Sequence, residues 1–144
     1  MAGWDVVARV GWRQGREWGV MGVTAEELFE FASGLPGVTD DEAFGPGVTV
    51  LKVEGKVFAV LRDGEGEGEV WVTLKCEPGL ASHLREQYAA VGPGYHMNKR
   101  HWNTVVLDSS VPDDEVREMV EHSWERVVAG MGKADRERLR LQRG

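Results

Sequence analysis

The densest grouping of chemically able side chains in this 144-residue chain is Pro93-Gly94-Tyr95-His96-Met97-Asn98-Lys99-Arg100-His101-Trp102-Asn103. Two aromatic rings, two imidazoles, two fixed cations and two carboxamides stand within eleven residues. That mixture suits recognition: rings stack on bases or apolar groups, amides bond to polar edges, and cations meet phosphates or carboxylates. A plainer reading also holds. Tyr95 and Trp102 would anchor an irregular crossing to the core while Lys99 and Arg100 stay solvated.

Other groups promise less chemistry. Cys76 and His83 raise the question of a thiol nucleophile, which needs a base and an orienting third group. Cys76 instead continues the inward alternation of Val72 and Leu74, as a small buried hydrophobe does. His96 and His101 are five apart, the wrong spacing for one helix face, and no further ligands accompany them. Asp63, Glu65, Glu67 and Glu69 alternate with glycine and could attract a hard cation. The calcium-loop pattern fails, because Leu74 stands where its last carboxylate belongs. The dinucleotide glycine pattern fails at Glu69. A flexible, solvated hairpin tip is the expectation there. No serine triad, phosphate loop or paired-carboxylate motif is present, so no catalytic residue, metal or cofactor is expected.

These groups need a scaffold. At this length one domain folds and removes about 68–70% of the extended chain's surface from water. An apolar fraction of 42% with 28% charged residues excludes a largely disordered chain. The longest apolar run, Val57 to Leu61, is far too short to span a bilayer. With no leader read at the amino terminus and a single cysteine, a reducing cytoplasm is the expected compartment. The net charge of −7 argues against a general nucleic-acid coat. The distribution is uneven: Lys133, Arg136, Arg138, Arg140 and Arg143 face only Asp135 and Glu137 in the tail. Any nucleic-acid contact must therefore be a focused patch.

Residues 1–22, with Trp4, Trp12 and Trp18, read as a loose extension, and Met21 is a second candidate start. Residues 23–131 form the domain and 132–144 a basic tail, which could dock as a helix, reach for nucleic acid or fray. Thr24-Ala25-Glu26-Glu27 is a capping box opening a helix with Leu28, Phe31, Ala32 and Leu35 on one face. Val48–Val53 and Lys56–Leu61 predict a hairpin turned by Glu54-Gly55. Val70–Lys75 is a third strand, with Val70, Val72 and Leu74 facing one way. A helix follows from Pro78 to about Ala90 on an inner line of Leu80, Leu84 and Tyr88. Residues 91–102 read as irregular and Asn103–Leu107 as a strand. A last helix starts near Pro112, its inner face running from Val116 through Ser123 and Trp124 to Met131. The order predicts an α+β fold, an antiparallel sheet with helices on one face.

Leu35-Pro36-Gly37-Val38, Gly55-Lys56-Val57-Phe58-Ala59-Val60-Leu61, Leu74-Lys75, the Pro93–Val105 segment and His122-Ser123-Trp124 together resemble the MmcQ/YjbR family. Trp124 departs from the tyrosine more usual there. The resemblance covers roughly Thr24 to Met131. It implies a small α+β domain related to the CyaY/frataxin-like and secretion-chaperone-like folds. It also implies a "double wing" DNA-binding label that rests on fold analogy. Carried over by position, the site is His96, Asn98, Lys99 and Trp102, with Lys75 and Lys56 from nearby strands and Arg100 beside them.

Three functions follow as alternatives. One is a non-enzymatic DNA-binding or regulatory module, Lys99 and Arg100 meeting phosphates while Asn98 or His96 reads a base edge. Another is a pocket for a small anionic ligand or a protein segment, with Lys75, His96 and Lys99 converging beside Tyr95 and Trp102. The least favoured is frataxin-like iron handling by Glu26, Glu27, Glu30, Asp40, Asp41 and Glu42.

Overall fold

The computed structural model describes residues 24–41 and 47–143. The N-terminal extension, with its three tryptophans, and Glu42 of the acidic ridge lie outside the described residues.

Helix α1 (Ala25–Ser33) starts at the predicted capping box: Thr24 Oγ1 accepts from the Glu27 amide, and Glu27 Oε1 accepts from the Thr24 amide, both at 3.1 Å. Six strands follow, broken by one helix: β1 (Val38–Asp41), β2 (Val48–Val53), β3 (Lys56–Asp63), β4 (Val70–Lys75), α2 (Pro78–Gln87), β5 (Val91–Pro93) and β6 (Trp102–Val106). Helices α3 (Asp113–Ala129) and α4 (Lys133–Arg143) complete the chain. The strands form one antiparallel sheet in the order β1-β2-β3-β4-β6-β5. This is the α+β architecture expected. Among the described residues no helix is long and apolar enough to cross a membrane.

The two sheet faces differ in chemistry because side chains alternate along each strand. On the helix side Leu51, Val53, Phe58, Val72, Leu74 and Val105 pack with Leu28, Val116, Val120 and Trp124 in one buried cluster. The other face carries the cross-strand row Val50, Val60, Thr73 and Thr104, all buried. Across it the Thr73 and Thr104 hydroxyls hydrogen-bond at 2.8 Å.

Two short edge strands escape the sequence pattern. Val38–Asp41 is mostly polar and exposed, as edges are, so it shows no apolar alternation. Val91–Pro93 was expected to be irregular; it pairs with β6, and Pro93 is tolerated at the end of an edge strand. The α2 face also shifts. Glu77 caps the helix, Ala81 and Leu84 are buried, and Leu80 is 37% exposed at the rim. Tyr88 is already extended (φ −124°, ψ 123°), ending α2 early enough for Val91 to pair with Val105.

The basic tail is α4, and it docks. Leu139 is fully buried, while Arg138 pairs with Glu54, Arg140 with Glu125, and Arg143 with Glu121 and Glu125. Most of the tail's charge is thereby neutralised within the fold.

Candidate functional site

The segment between β5 and β6 is held by its own side chains. The Gly94 amide donates to the Trp102 carbonyl at 2.8 Å. A Cβ at position 94 would lie 2.6 Å from Trp102 Cβ and 2.9 Å from its carbonyl oxygen, so only glycine fits this crossing. Tyr95 then turns back over the sheet, its amide donating to Thr104 Oγ1 at 2.9 Å. His96 takes a left-handed conformation (φ 61°). Lys99 Nζ donates to the Gly94 carbonyl at 2.6 Å, and Asn98 Oδ1 accepts from the Arg100 amide at 2.9 Å. From α2, Arg85 Nε donates to Asn103 Oδ1 at 2.7 Å, and Arg85 Nη2 reaches the carbonyls of Lys99 and Trp102. Asn103 Nδ2 donates to the Ala81 carbonyl.

The six predicted site residues therefore divide. Lys99 and the oxygen of Asn98 brace the loop. Trp102 is half-buried on β6 opposite Lys75. His96 and Arg100 are exposed, and neither Arg100 nor Lys75 has an ion-pair partner among the described residues.

Topology places Lys75 and Arg100 together. Lys75 ends β4, Trp102 begins β6 opposite it, and the Cys76 amide donates to the His101 carbonyl at 2.7 Å. Lys56 begins β3 at the same end of the sheet. From α3 the Ser123 hydroxyl touches both strands there, and the Glu77 amide donates to His122 Nε2, which brings Arg126 alongside. Lys56, Lys75 and Arg100 thus stand toward one end of the sheet, with Arg126 on its helix side where its charge acts on Glu77 and Cys76, and none of the four forms an ion pair among the described residues. The acidic glycine segment joins β3 to β4 at the opposite end. It is not loose: Glu69 Oε1 accepts from the Glu65 and Gly66 amides and from Trp71 Nε1, each at 3.0 Å.

Over the second sheet face the Tyr95 ring meets Trp71 edge-on at 5.2 Å, and the Arg62 guanidinium lies 4.9 Å from its centroid. The His96 ring lies tilted against Tyr95, their centroids 4.0 Å apart. A recess of about 320 Å³ opens here between Val60, Arg62, Tyr95, His96 and Met97. Sequence reasoning missed Arg62, Trp71, Arg85 and Arg126. The register Arg62↔Trp71 would have paired the first two once the β3–β4 hairpin was drawn. Arg85 carries no local signal.

Cys76 is buried, and burial followed by the Glu77 charge pushes its thiol up to about 11. A thiol so held is protonated at neutral pH and is no nucleophile. Burial, with the Arg126 charge, holds His122 below its ordinary range. Donation from the Leu80 and Gly79 amides holds Glu77 below the usual carboxylate range. Of the acidic ridge, Glu27 is committed to the α1 cap and Asp41 to Lys52 at 3.2 Å. Among the described residues no three His, Cys, Asp or Glu side chains converge as a metal set.

A six-stranded antiparallel sheet backed by helices, with a braced β5–β6 loop, defines a small α+β scaffold without a recognisable catalytic constellation among the described residues. The YjbR family model matches residues 33–126, so the chain belongs to the YjbR family. It is 37% identical over 106 residues to the uncharacterised protein YjbR of Escherichia coli K12, covering 74% of this chain and 88% of that one. It is 35% identical over 97 residues to the uncharacterised YbdF of Escherichia coli O157:H7, covering 67% and 78%. Among solved structures, the Deinococcus radiodurans protein DR2400 superposes with a TM-score of 0.74 at 28% identity, covering 83% of this chain and 90% of that one. A Pseudomonas syringae protein does so at 0.62 and 25%, covering 70% and 96%.

Proposed function

We propose that this protein is a non-enzymatic module that binds duplex DNA through the end of the sheet bearing Lys56, Lys75, Arg100 and Arg126. One observation carries the reading. These four cations, like Arg62, Arg85, Lys99, Lys133 and Arg136, form no ion pair among the described residues, and the four stand toward the end of the sheet away from the carboxylate-rich β3–β4 tip. Cations without ion pairs toward one end of the sheet, in a chain of net charge −7, make a polarised molecule. Its carboxylate-rich β3–β4 tip, at the far end, turns away from phosphate. The approach therefore differs from one in which that hairpin is a wing against DNA. Lys99 and Asn98 shape the loop, Arg100 and Lys75 meet phosphates, and His96 stays exposed against Tyr95 at the recess beside Arg62.

Fluorescence anisotropy with a labelled 25-base-pair duplex at low salt tests this. Each of Lys75→Ala and Arg100→Ala should weaken binding uniformly across sequences and lower the log–log salt slope by about 1. Absence of binding at low salt, or binding insensitive to both changes, overturns it.

The recess over Tyr95 favours a second reading, a site for a small anionic ligand. Arg62 and His96 would supply the charge and hydrogen bonds, and Tyr95 and Met97 the apolar walls. Thermal melting against a panel of carboxylates and phosphates, with Arg62→Ala as control, tests it. A panel without a saturable stabilisation removes it.

A further inference from the structure

On the helix side a separate cavity of about 230 Å³ lies between α2, α3 and strands β4 and β6. Leu74, Cys76, Leu80, Leu84, Val105 and Met119 make its apolar wall. An apolar cavity of roughly 150 Å³ takes up benzene, so this one has room for a ring with a short arm.

The polar groups along its lining decide what that arm must be. Lys75 contributes to the lining, but alternation along β4 sends its side chain to the face of Thr73, away from Leu74 and Cys76. Asn103 spends both ends of its carboxamide on Arg85 and Ala81. His122 accepts the Glu77 amide at Nε2, which requires that nitrogen unprotonated and the ring neutral. What remains is the Nδ1–H donor of that neutral His122 ring and the pair of carboxylates that α3 places one turn apart. Glu115 faces the Tyr88 hydroxyl, whose ionisation burial and that carboxylate both oppose. Glu118 is exposed, with no hydrogen bond or ion pair among the described residues.

We propose that this cavity binds a small apolar molecule carrying one protonated amine, its hydrocarbon part against Leu84, Val105 and Met119 and its ammonium at the Glu118 carboxylate. The walls supply affinity without direction, and the unpartnered carboxylate at the mouth selects the sign of charge. The proposal does not rest on the nucleic-acid reading, although Lys75 contributes to this lining and the Arg126 charge acts on its Cys76 and His122.

Three probes with the same phenylethyl body test it: 2-phenylethylamine and its isostere 2-phenylethanol, with the bulkier anion 3-phenylpropionate, each titrated up to about 10 mM. Binding is followed by backbone amide NMR shifts and by melting temperature. The amine should move the amides of Cys76, Val105 and Met119 saturably and raise the melting temperature. The alcohol should bind about fivefold more weakly and the carboxylate not at all. Glu118→Gln, an exposed helix position where folding is safe, should reduce the amine to the alcohol's level. Equal binding of alcohol or carboxylate overturns the proposal. So does amine binding that Glu118→Gln leaves unchanged, or the absence of saturable shifts at those three amides.

Discussion

The Ser123 hydroxyl, on α3, accepts a hydrogen bond from the amide of Lys75, 48 positions earlier in the chain, at 2.9 Å. The same oxygen donates to the Phe58 carbonyl at 2.6 Å, so one buried hydroxyl stands between β3 and β4 where their ladder runs out. This contact fixes the end of β4 and the backbone from which Lys75 projects. Ser123→Ala leaves a part-buried amide and a buried carbonyl unpaired, a cost of about 1–3 kcal/mol. Denaturant unfolding should show it, and amide exchange at Lys75 should accelerate while that of Val60 changes little.

Arg85 bonds to Asn103 and to the backbone of Lys99 and Trp102 with one guanidinium fork. A lysine has no fork, so Arg85→Lys should behave nearly as Arg85→Ala does. Both variants should be cut by trypsin after Lys99 or Arg100 several-fold faster than the parent, with only a small loss of global stability. Unchanged cleavage would mean that the loop is braced without Arg85.

The α4 helix docks through Leu139, whose Cδ2 lies 2.8 Å from where a Cβ on Gly37 would stand. With Leu139 fully buried, Leu139→Ala should cost about 2–3 kcal/mol. Gly37→Ala should destabilise as well, from the clash and from its φ of +75°. Chemical denaturation of each variant measures both effects.

Much of this architecture is legible in the residues, and the gaps have physical reasons. The α1 capping box, the Glu54-Gly55 hairpin and the α3 face from Val116 to Trp124 follow local rules that their own residues satisfy. Strands β1 and β5 are short edges whose side chains need no burial pattern, so periodicity could not find them. The site was half legible. Composition marked residues 93–103 as unusual, yet composition cannot say that Lys99 turns inward to Gly94 while Arg100 does not. That distinction rests on Arg85 and on the chain reversal at Gly94, both of them long-range.

Stability should fall on acidification in two stages. Both His122 and Glu77 hold protons less readily folded than unfolded, so the unfolded chain binds more protons as the pH drops and stability falls with it. The His122 stage begins as the pH falls through about 6.5, because a protonated Nε2 can no longer accept the Glu77 amide. The Glu77 stage begins below about 4.5, when protonation weakens the α2 cap that the Leu80 amide makes at 2.8 Å. Melting temperatures from pH 8 down to about pH 2 should show both stages. His122→Gln keeps an acceptor without titrating near neutrality and should flatten the upper one. Glu77→Gln should flatten the lower.

Neighbouring cations in the β5–β6 loop should give opposite phenotypes. Lys99 Nζ closes the loop on the Gly94 carbonyl, so Lys99→Met should lower the melting temperature and broaden amide signals from Gly94 to His101. Its effect on DNA affinity would follow from loop disorder and leave the salt slope nearly unchanged. Among the described residues Arg100 bonds only through its backbone, to Asn98, so Arg100→Ala should leave the melting temperature within about 1 °C. In the duplex titration it should instead lower the salt slope by about 1. Stability and salt dependence measured on the same two variants separate bracing from binding. If Lys99→Met lowered the slope while Arg100→Ala left it intact, the assignment of the two residues would have to be exchanged.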